Sequence, residues 1–228
     1  MNTDIDEMLS RAKKYYSEYI IPASISKIRK CKNPRVFKKT NPFLTPFQGK
    51  LMFGDISDRS ISSALVYLRL GTSLATIYGE QIQNLCREVL GAKGFGSGFD
   101  LTFLDAIDGR RKYCQLKAGP LTLSQSAPKA ITEKFFDYIK SNAKNKAEPI
   151  PLTDLIVGVT FGEHSMLSSH YKKIESFGFP IYVGKDFWHR ITGEADFYEK
   201  LQVVFREAAN ESDVTGLIDT VVNELCKR

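Results

Sequence analysis

No stretch of this 228-residue chain approaches the ~20 consecutive apolar residues a membrane-spanning helix needs. Its first residues, Met-Asn-Thr-Asp-Ile-Asp-Glu, are acidic and lack the apolar segment of a secretory signal. Cysteine is scarce: Cys31, Cys86, Cys114 and Cys226 stand far apart without a Cys-x-x-Cys, and the three histidines show no zinc-like spacing. These absences argue against a disulfide framework and a structural zinc site, and predict a reduced, cytoplasmic protein. Internal repeats and low-complexity tracts are also missing, which excludes a solenoid. What is present, 43% hydrophobic and 25% charged residues, is the composition of a globular domain large enough to bury a core.

Acids are missing from one segment in particular. Lys27 to Lys39 holds seven basic residues and none of opposite sign, whereas Glu194 to Arg228 holds eight acids against four bases. The tail is thus at −4 and the preceding residues carry +10 of the net +6. A basic front suits a protein that holds a polyanion on one side, although a single charge run is also what a solvated face looks like. Pro34 and Asn41-Pro42 argue against continuous helix there, so the segment reads as an arm or loop.

The rest of the chain reads as one domain over 1–228. It has a helical and basic N-terminal appendage over 1–60, a core over 72–190 and C-terminal helices over 191–228. A helix is expected to end near Pro22, and another spans Thr72 to Leu90, where Leu74, Tyr78, Ile82, Leu85 and Val89 recur at helical spacing. Gly91, Gly94, Gly96 and Gly98 follow a helix and open a strand, the reverse of a phosphate-binding loop, and read as a flexible lead into a hairpin. Ala127 to Ala143 is amphipathic through Ile131, Phe135, Tyr138 and Ile139. Leu152 to Phe161 reads as a strand buried on both faces, and Pro180 to Val183 as another strand. Hairpin, crossover helix and buried strand predict an α/β fold with a mixed central sheet flanked by helices. The Leu217, Val221 and Leu225 stripe fits core or a dimer face.

The chemistry concentrates between residues 99 and 117. Phe99–Asp105 and Lys112–Ala118 are apolar and aromatic runs on either side of Asp108-Gly109, a strong hairpin signal. Alternation puts Tyr113, Gln115 and Lys117 on one face, with Gln115 and Lys117 about 6–7 Å apart. The hairpin brings Asp100 opposite them. Asp100, the Gln115 amide oxygen and the Leu116 main-chain carbonyl form a hard-oxygen set that suits magnesium. Lys117 then supplies a cation beside an attacking water, the remaining part needed for metal-assisted cleavage of a phosphodiester. An ordinary hairpin with polar residues on its wet face has the same spacing. Asp108 is explained by the turn, and Asp105 is the runner-up acid for the metal.

Asp100…Gln115-x-Lys117 on a hairpin resembles the PD-(D/E)xK nuclease core. Four further segments, Asn41–Phe47, Leu116–Gly119, Ile156–Gly162 and Tyr182–Trp188, resemble in order the type II restriction endonucleases that cut the interrupted palindrome purine-GGNCC-pyrimidine. The resemblance covers residues 41 to 200 and departs at one place, where Gln115 replaces the usual acid. It implies a restriction-endonuclease-like fold and Mg2+-dependent, site-specific cleavage of double-stranded DNA. It further implies a homodimer reading a palindrome, functional pairing with a DNA methyltransferase, and a bacterial or archaeal cytoplasm. Relatives that recruit a glutamate from the preceding helix direct attention to Glu80, with Glu88 as the rival nearer the apolar stripe; both also fit solvated helix carboxylates. Candidate DNA contacts are Arg35, Lys38, Lys39 and Asn41 in the basic segment, and Ser124 and Gln125 just past the hairpin. A structure-selective nuclease with the same core and a non-catalytic DNA-binding module are the alternatives, the second favoured by Gln115.

Overall fold

The computed structural model describes residues 5–95, 98–145 and 148–227; the N-terminal Met1–Asp4 and Gly96 of the glycine-rich segment lie outside the described residues. In chain order the elements are α1 (Ile5–Tyr15), α2 (Ile21–Lys30), α3 (Thr45–Phe53), α4 (Asp58–Glu88), β1 (Lys93–Phe95), β2 (Phe99–Leu104), β3 (Arg111–Lys117), α5 (Ala127–Lys144), β4 (Leu155–Val159), α6 (Ser169–Glu175), β5 (Ile181–Val183), α7 (Lys185–Thr192), α8 (Phe197–Asn210) and α9 (Leu217–Cys226). They form two compact units. Met1–Lys13 with Gln81–Glu207 makes a sheet unit, and Lys14–Glu80 with Ala208–Arg228 makes a helical unit. Among the described residues no helix is long and apolar enough to cross a membrane.

The sheet unit is built on five strands in the order β1-β2-β3-β4-β5. β1, β2 and β3 are antiparallel neighbours, and β3, β4 and β5 are parallel ones. The change of direction follows from the connections. Asp105 to Arg110 is a short loop closed by the Asp105 N–H on the Arg110 carbonyl at 2.9 Å, with Gly109 at φ +68°, so its two strands must run antiparallel. The connection from β3 to β4 carries α5 and returns the chain parallel. The glycine-rich lead into the hairpin contributes β1 as an edge strand, with a register irregularity between Lys93 and Phe95.

Both faces of the sheet are covered, and for that reason all five residues of β4 are buried. On one face Leu155, Val157, Val159, Ile181 and Val183 join Phe99, Ile131, Phe135, Tyr171 and Phe179 in a single core. The Phe135 ring stacks on Phe99 at 5.6 Å and meets Phe179 edge-on at 4.9 Å. On the other face Gly158 admits the Phe187 ring of α7. A Cβ on Gly158 would lie 2.6 Å from that ring and 2.9 Å from the Cys114 sulfur. Burial pushes the Cys86 thiol up to about 12 and Cys114 still higher, so both stay protonated and unreactive.

A charged cluster anchors the loop end of the hairpin. Lys112 is fully buried, with its ammonium 2.5 Å from Asp108 and 3.0 Å from Asp154. Arg110 adds a bidentate hold on Asp154, at 2.6 Å to one carboxylate oxygen. The Arg110 hydrogen bond, helped by Lys112, holds the Asp154 carboxyl below the usual range. Burial alone would push the Lys112 ammonium down, but its bonds to Asp108 and Asp154 outweigh burial and raise it.

In the helical unit Cys31, Val66, Leu70, Val221 and Val222 form the core, with Ile218 and Leu225 against it. The stripe on α9 is therefore core at Val221. Two expectations need correction. Pro22 does not end the helix: a five-residue π-helical turn, Tyr16–Ile20, re-registers it, and Pro22 falls in the first turn of α2, where its missing N–H costs least. Also, α4 begins at Asp58, 14 residues before Thr72, and α3 and a 3-10 turn, Pro34–Phe37, occupy much of what reads as arm. Propensity windows missed both because Gly71 and the serines of the early α4 dilute the apolar period.

Gly158→Ala should overpack the space between Phe187 and Cys114 and cost about 1–3 kcal/mol, measured as a lowered urea midpoint at unchanged slope. Asp154→Asn should cost about 3 kcal/mol at neutral pH, because Asp108 is then the one carboxylate left to the buried Lys112. A depressed carboxyl stabilises the fold above its unfolded value near 3.8 and loses that stabilisation as pH falls through the folded value. The same substitution should therefore flatten the decline in stability below about pH 4, read from denaturation midpoints across acid pH.

Candidate active site

Asp100 is placed by backbone pairing. The β2–β3 register runs from Leu104↔Arg111 to Leu101↔Cys114 and stops there. The next amide of β3 aimed at β2, that of Leu116, donates to the Asp100 carboxylate at 2.8 Å instead of to a ladder carbonyl. Asp100's own carbonyl is held from the other side by α4, accepting from Gln83 Nε2 at 3.2 Å and from Arg87 Nη2 at 2.6 Å. The carboxylate is thus fixed at the point where the hairpin ladder ends.

Gln115 lies beside it. Its amide nitrogen donates to the same Asp100 oxygen, Oδ2, and its amide oxygen accepts from Lys134 Nζ of α5 at 2.8 Å. A carboxylate only accepts and an ammonium only donates, so this is the one amide orientation that satisfies both neighbours. Lys117, two residues on, is half-buried on the same face. Its ammonium has no hydrogen-bond or ion-pair partner among the described residues. The strand beneath it is tied down: Thr160 donates its N–H to the Lys117 carbonyl at 3.1 Å and its hydroxyl to Ala118, and Tyr171 donates to the Gly119 carbonyl.

The remaining candidates separate. The Leu116 amide faces Asp100, and since the N–H and C=O of one strand residue point to the same edge, its carbonyl shares that edge. Asp105 does not join the site. It is fully buried beyond the far end of β2, where Arg190 pairs with it at 2.9 Å and the Ile107 N–H bonds to it. Asp108 is committed to Lys112 and the turn. Glu80 belongs to the helical unit, and Glu88 is exposed. Arg35, Lys38, Lys39 and Asn41 are exposed in the helical unit, with the Asn41 side-chain oxygen capping a turn at Phe43 N–H, and Ser124 and Gln125 are exposed in the sheet unit. Sequence reasoning missed Lys134, Arg87 and Gln83. Only Lys134 left a signal: it is a basic residue set among Ile131, Phe135 and Tyr138 on the apolar face of α5.

Among the described residues no group of three or more His, Cys, Asp or Glu could hold a metal ion. The donors around Asp100 nevertheless fit a cation that keeps most of its water. The second carboxylate oxygen of Asp100 has no donor among the described residues, and the Leu116 carbonyl adds a second hard oxygen on the same edge. Gln115 oxygen is turned to Lys134 rather than to this position.

One acid, a lysine without a partner among the described residues and a main-chain carbonyl thus gather at the end of the hairpin. No curated protein matches the chain. A family model described as type II restriction endonuclease EcoO109I matches residues 8–213, which include all five strands and Asp100, Gln115 and Lys117. The chain belongs to that family, and it is a type II restriction endonuclease, a site-specific deoxyribonuclease.

Proposed function

We propose that this endonuclease cuts both strands of a palindromic, GC-rich and interrupted site in a Mg2+-dependent reaction centred on Asp100 and Lys117. The observation that carries the reading is the Leu116 amide bonded to Asp100, which sets a fixed carboxylate on the edge where β3 presents Gln115 and Lys117. Asp100 and the Leu116 carbonyl would hold the ion. When bound, it would polarise the scissile phosphate and help form the attacking hydroxide. Lys117, with its N–H donors uncommitted among the described residues, orients the attacking water and offsets charge on the pentacovalent phosphate. Gln115 fixes the rotamer of Asp100. No covalent intermediate is required.

The exposed bases Arg35, Lys38 and Lys39 suit phosphate contacts, and Asn41, Ser124 and Gln125 suit contacts to base edges. A palindrome is read most simply by a twofold dimer. Phe43, Phe47, Leu51 and Ile56, more than half exposed on the helical unit, supply apolar surface of the kind subunit interfaces cover. A partner methyltransferase protecting the same site, in a bacterial or archaeal cytoplasm, completes the reading.

Digestion of plasmid and phage DNA with Mg2+, followed by sequencing of the ends, should give discrete fragments sharing one palindrome. Asp100→Ala and Lys117→Ala should each lower cleavage by about 10³-fold or more, while gel-shift affinity for the site in Ca2+ stays within a few fold for Lys117→Ala. Cutting at wild-type positions by either variant would overturn the assignment. Nicking or junction-dependent cleavage would replace it with a structure-selective nuclease.

A further inference from the structure

The structure gives Lys134 a built position. Gly98, at φ +88°, leaves the space through which its side chain passes: a Cβ there would lie 3.0 Å from Lys134 Cε. The ammonium sits over the Phe99 ring, 5.8 Å from its centroid, and donates to the Gln115 oxygen at 2.8 Å. Among the described residues no carboxylate neutralises it. The adjacent acids on α5 are engaged elsewhere, Glu133 with Lys129 and Asp137 with Lys140.

We propose that Lys134 is a positioning residue that holds the Gln115 amide oxygen away from the cation, so that the ion loads weakly until a DNA phosphate arrives. The inference rests on the reading of Asp100 as the cation site. Before DNA binds, the site contains one carboxylate and two ammonium groups, Lys117 and Lys134. A divalent cation approaching Asp100 therefore meets like charge from both lysines. Gln115 cannot help, because turning its oxygen toward the ion would point its NH2 group at the Lys134 ammonium, donor against donor. A phosphate supplies both the missing negative charge and the missing oxygen ligands, which couples ion binding to substrate binding. The same contact explains how a glutamine is accommodated where the family resemblance leads one to expect an acid. An acid at 115 would ion-pair with Lys134, cancelling much of the charge it could offer the cation.

The test is Tb3+ luminescence, with Ca2+ competition, on the DNA-free full-length protein, its fold checked by thermal melting. Lys134→Met should tighten ion binding about tenfold, and Lys134→Arg, which keeps the charge and the contact, should bind as wild type does. Gln115→Glu alone should tighten it by less than about threefold, and the double variant Q115E/K134M should exceed the product of the two single effects by about tenfold. If Lys134→Met leaves the midpoint unchanged or weakens it, while Asp100→Ala abolishes binding, the role of Lys134 is overturned and the cation site stands. If Asp100→Ala binds as wild type does, the cation site falls, and this inference with it. Absence of sequence-specific cutting would sink the proposed function without moving any of these midpoints.

Discussion

β3 is hydrogen-bonded along both edges, antiparallel to β2 and parallel to β4, and this double pairing constrains the rest of the sheet unit. A strand locked on both sides cannot slip by one residue without turning every side chain to the wrong face. Gln115 and Lys117 are therefore presented in one register only, beside Val157 and Val159 of β4. The antiparallel ladder ends at Leu101↔Cys114, and at that point the Asp100 carboxylate takes the Leu116 amide in place of a backbone carbonyl. The bond that takes over where the β2–β3 ladder stops is also the one that aims the acid.

Charge is distributed around this frame in two different ways. At the loop end, Lys112, Asp108, Asp154 and Arg110 satisfy one another, as do Asp105 and Arg190, so those groups lock the hairpin and have no capacity left for chemistry. At the open end, Lys117 has no partner among the described residues, and Lys134 meets only neutral groups, the Gln115 amide and the Phe99 ring. Similar residue types serve opposite purposes. The difference lies in whether burial has forced each charge to find its counterpart.

The segments that resemble the family turn out to be structural neighbours in the sheet unit. Leu116–Gly119, Ile156–Gly162 and Tyr182–Trp188 meet at the carboxyl ends of β3, β4 and β5. There Thr160 N–H bonds to Lys117 O, Gly184 N–H to Val159 O at 2.8 Å, and the Trp188 indole to Thr160 O at 2.8 Å. They brace the end of the strand that carries Lys117. The fragment Asn41–Phe47 is of another kind: Phe43 is 92% exposed, so its apolar side chains are not explained by the core of its own unit.

Local rules made much of this legible. Alternation on β3, the Asp-Gly loop, the apolar run of β4 and the amphipathic stripe of α5 determined by themselves where strands and helix would form and that Asp100 would lie beside Gln115, because each depends on residues near in sequence. Tertiary structure alone decided the rest. Asp105 and Asp100 stand five residues apart and look alike as acids, yet Arg190, 85 residues from Asp105, claims it. Gln115 read as a ligand by its amide oxygen, and Lys134, 19 residues on, turned that oxygen away. Pro22 read as a stop until a π-helical turn moved it into a permitted position. In the cases of Asp105 and Gln115, the deciding partner is brought close only by folding, since hydrogen bonds and ion pairs act over a few ångströms of space rather than along the chain.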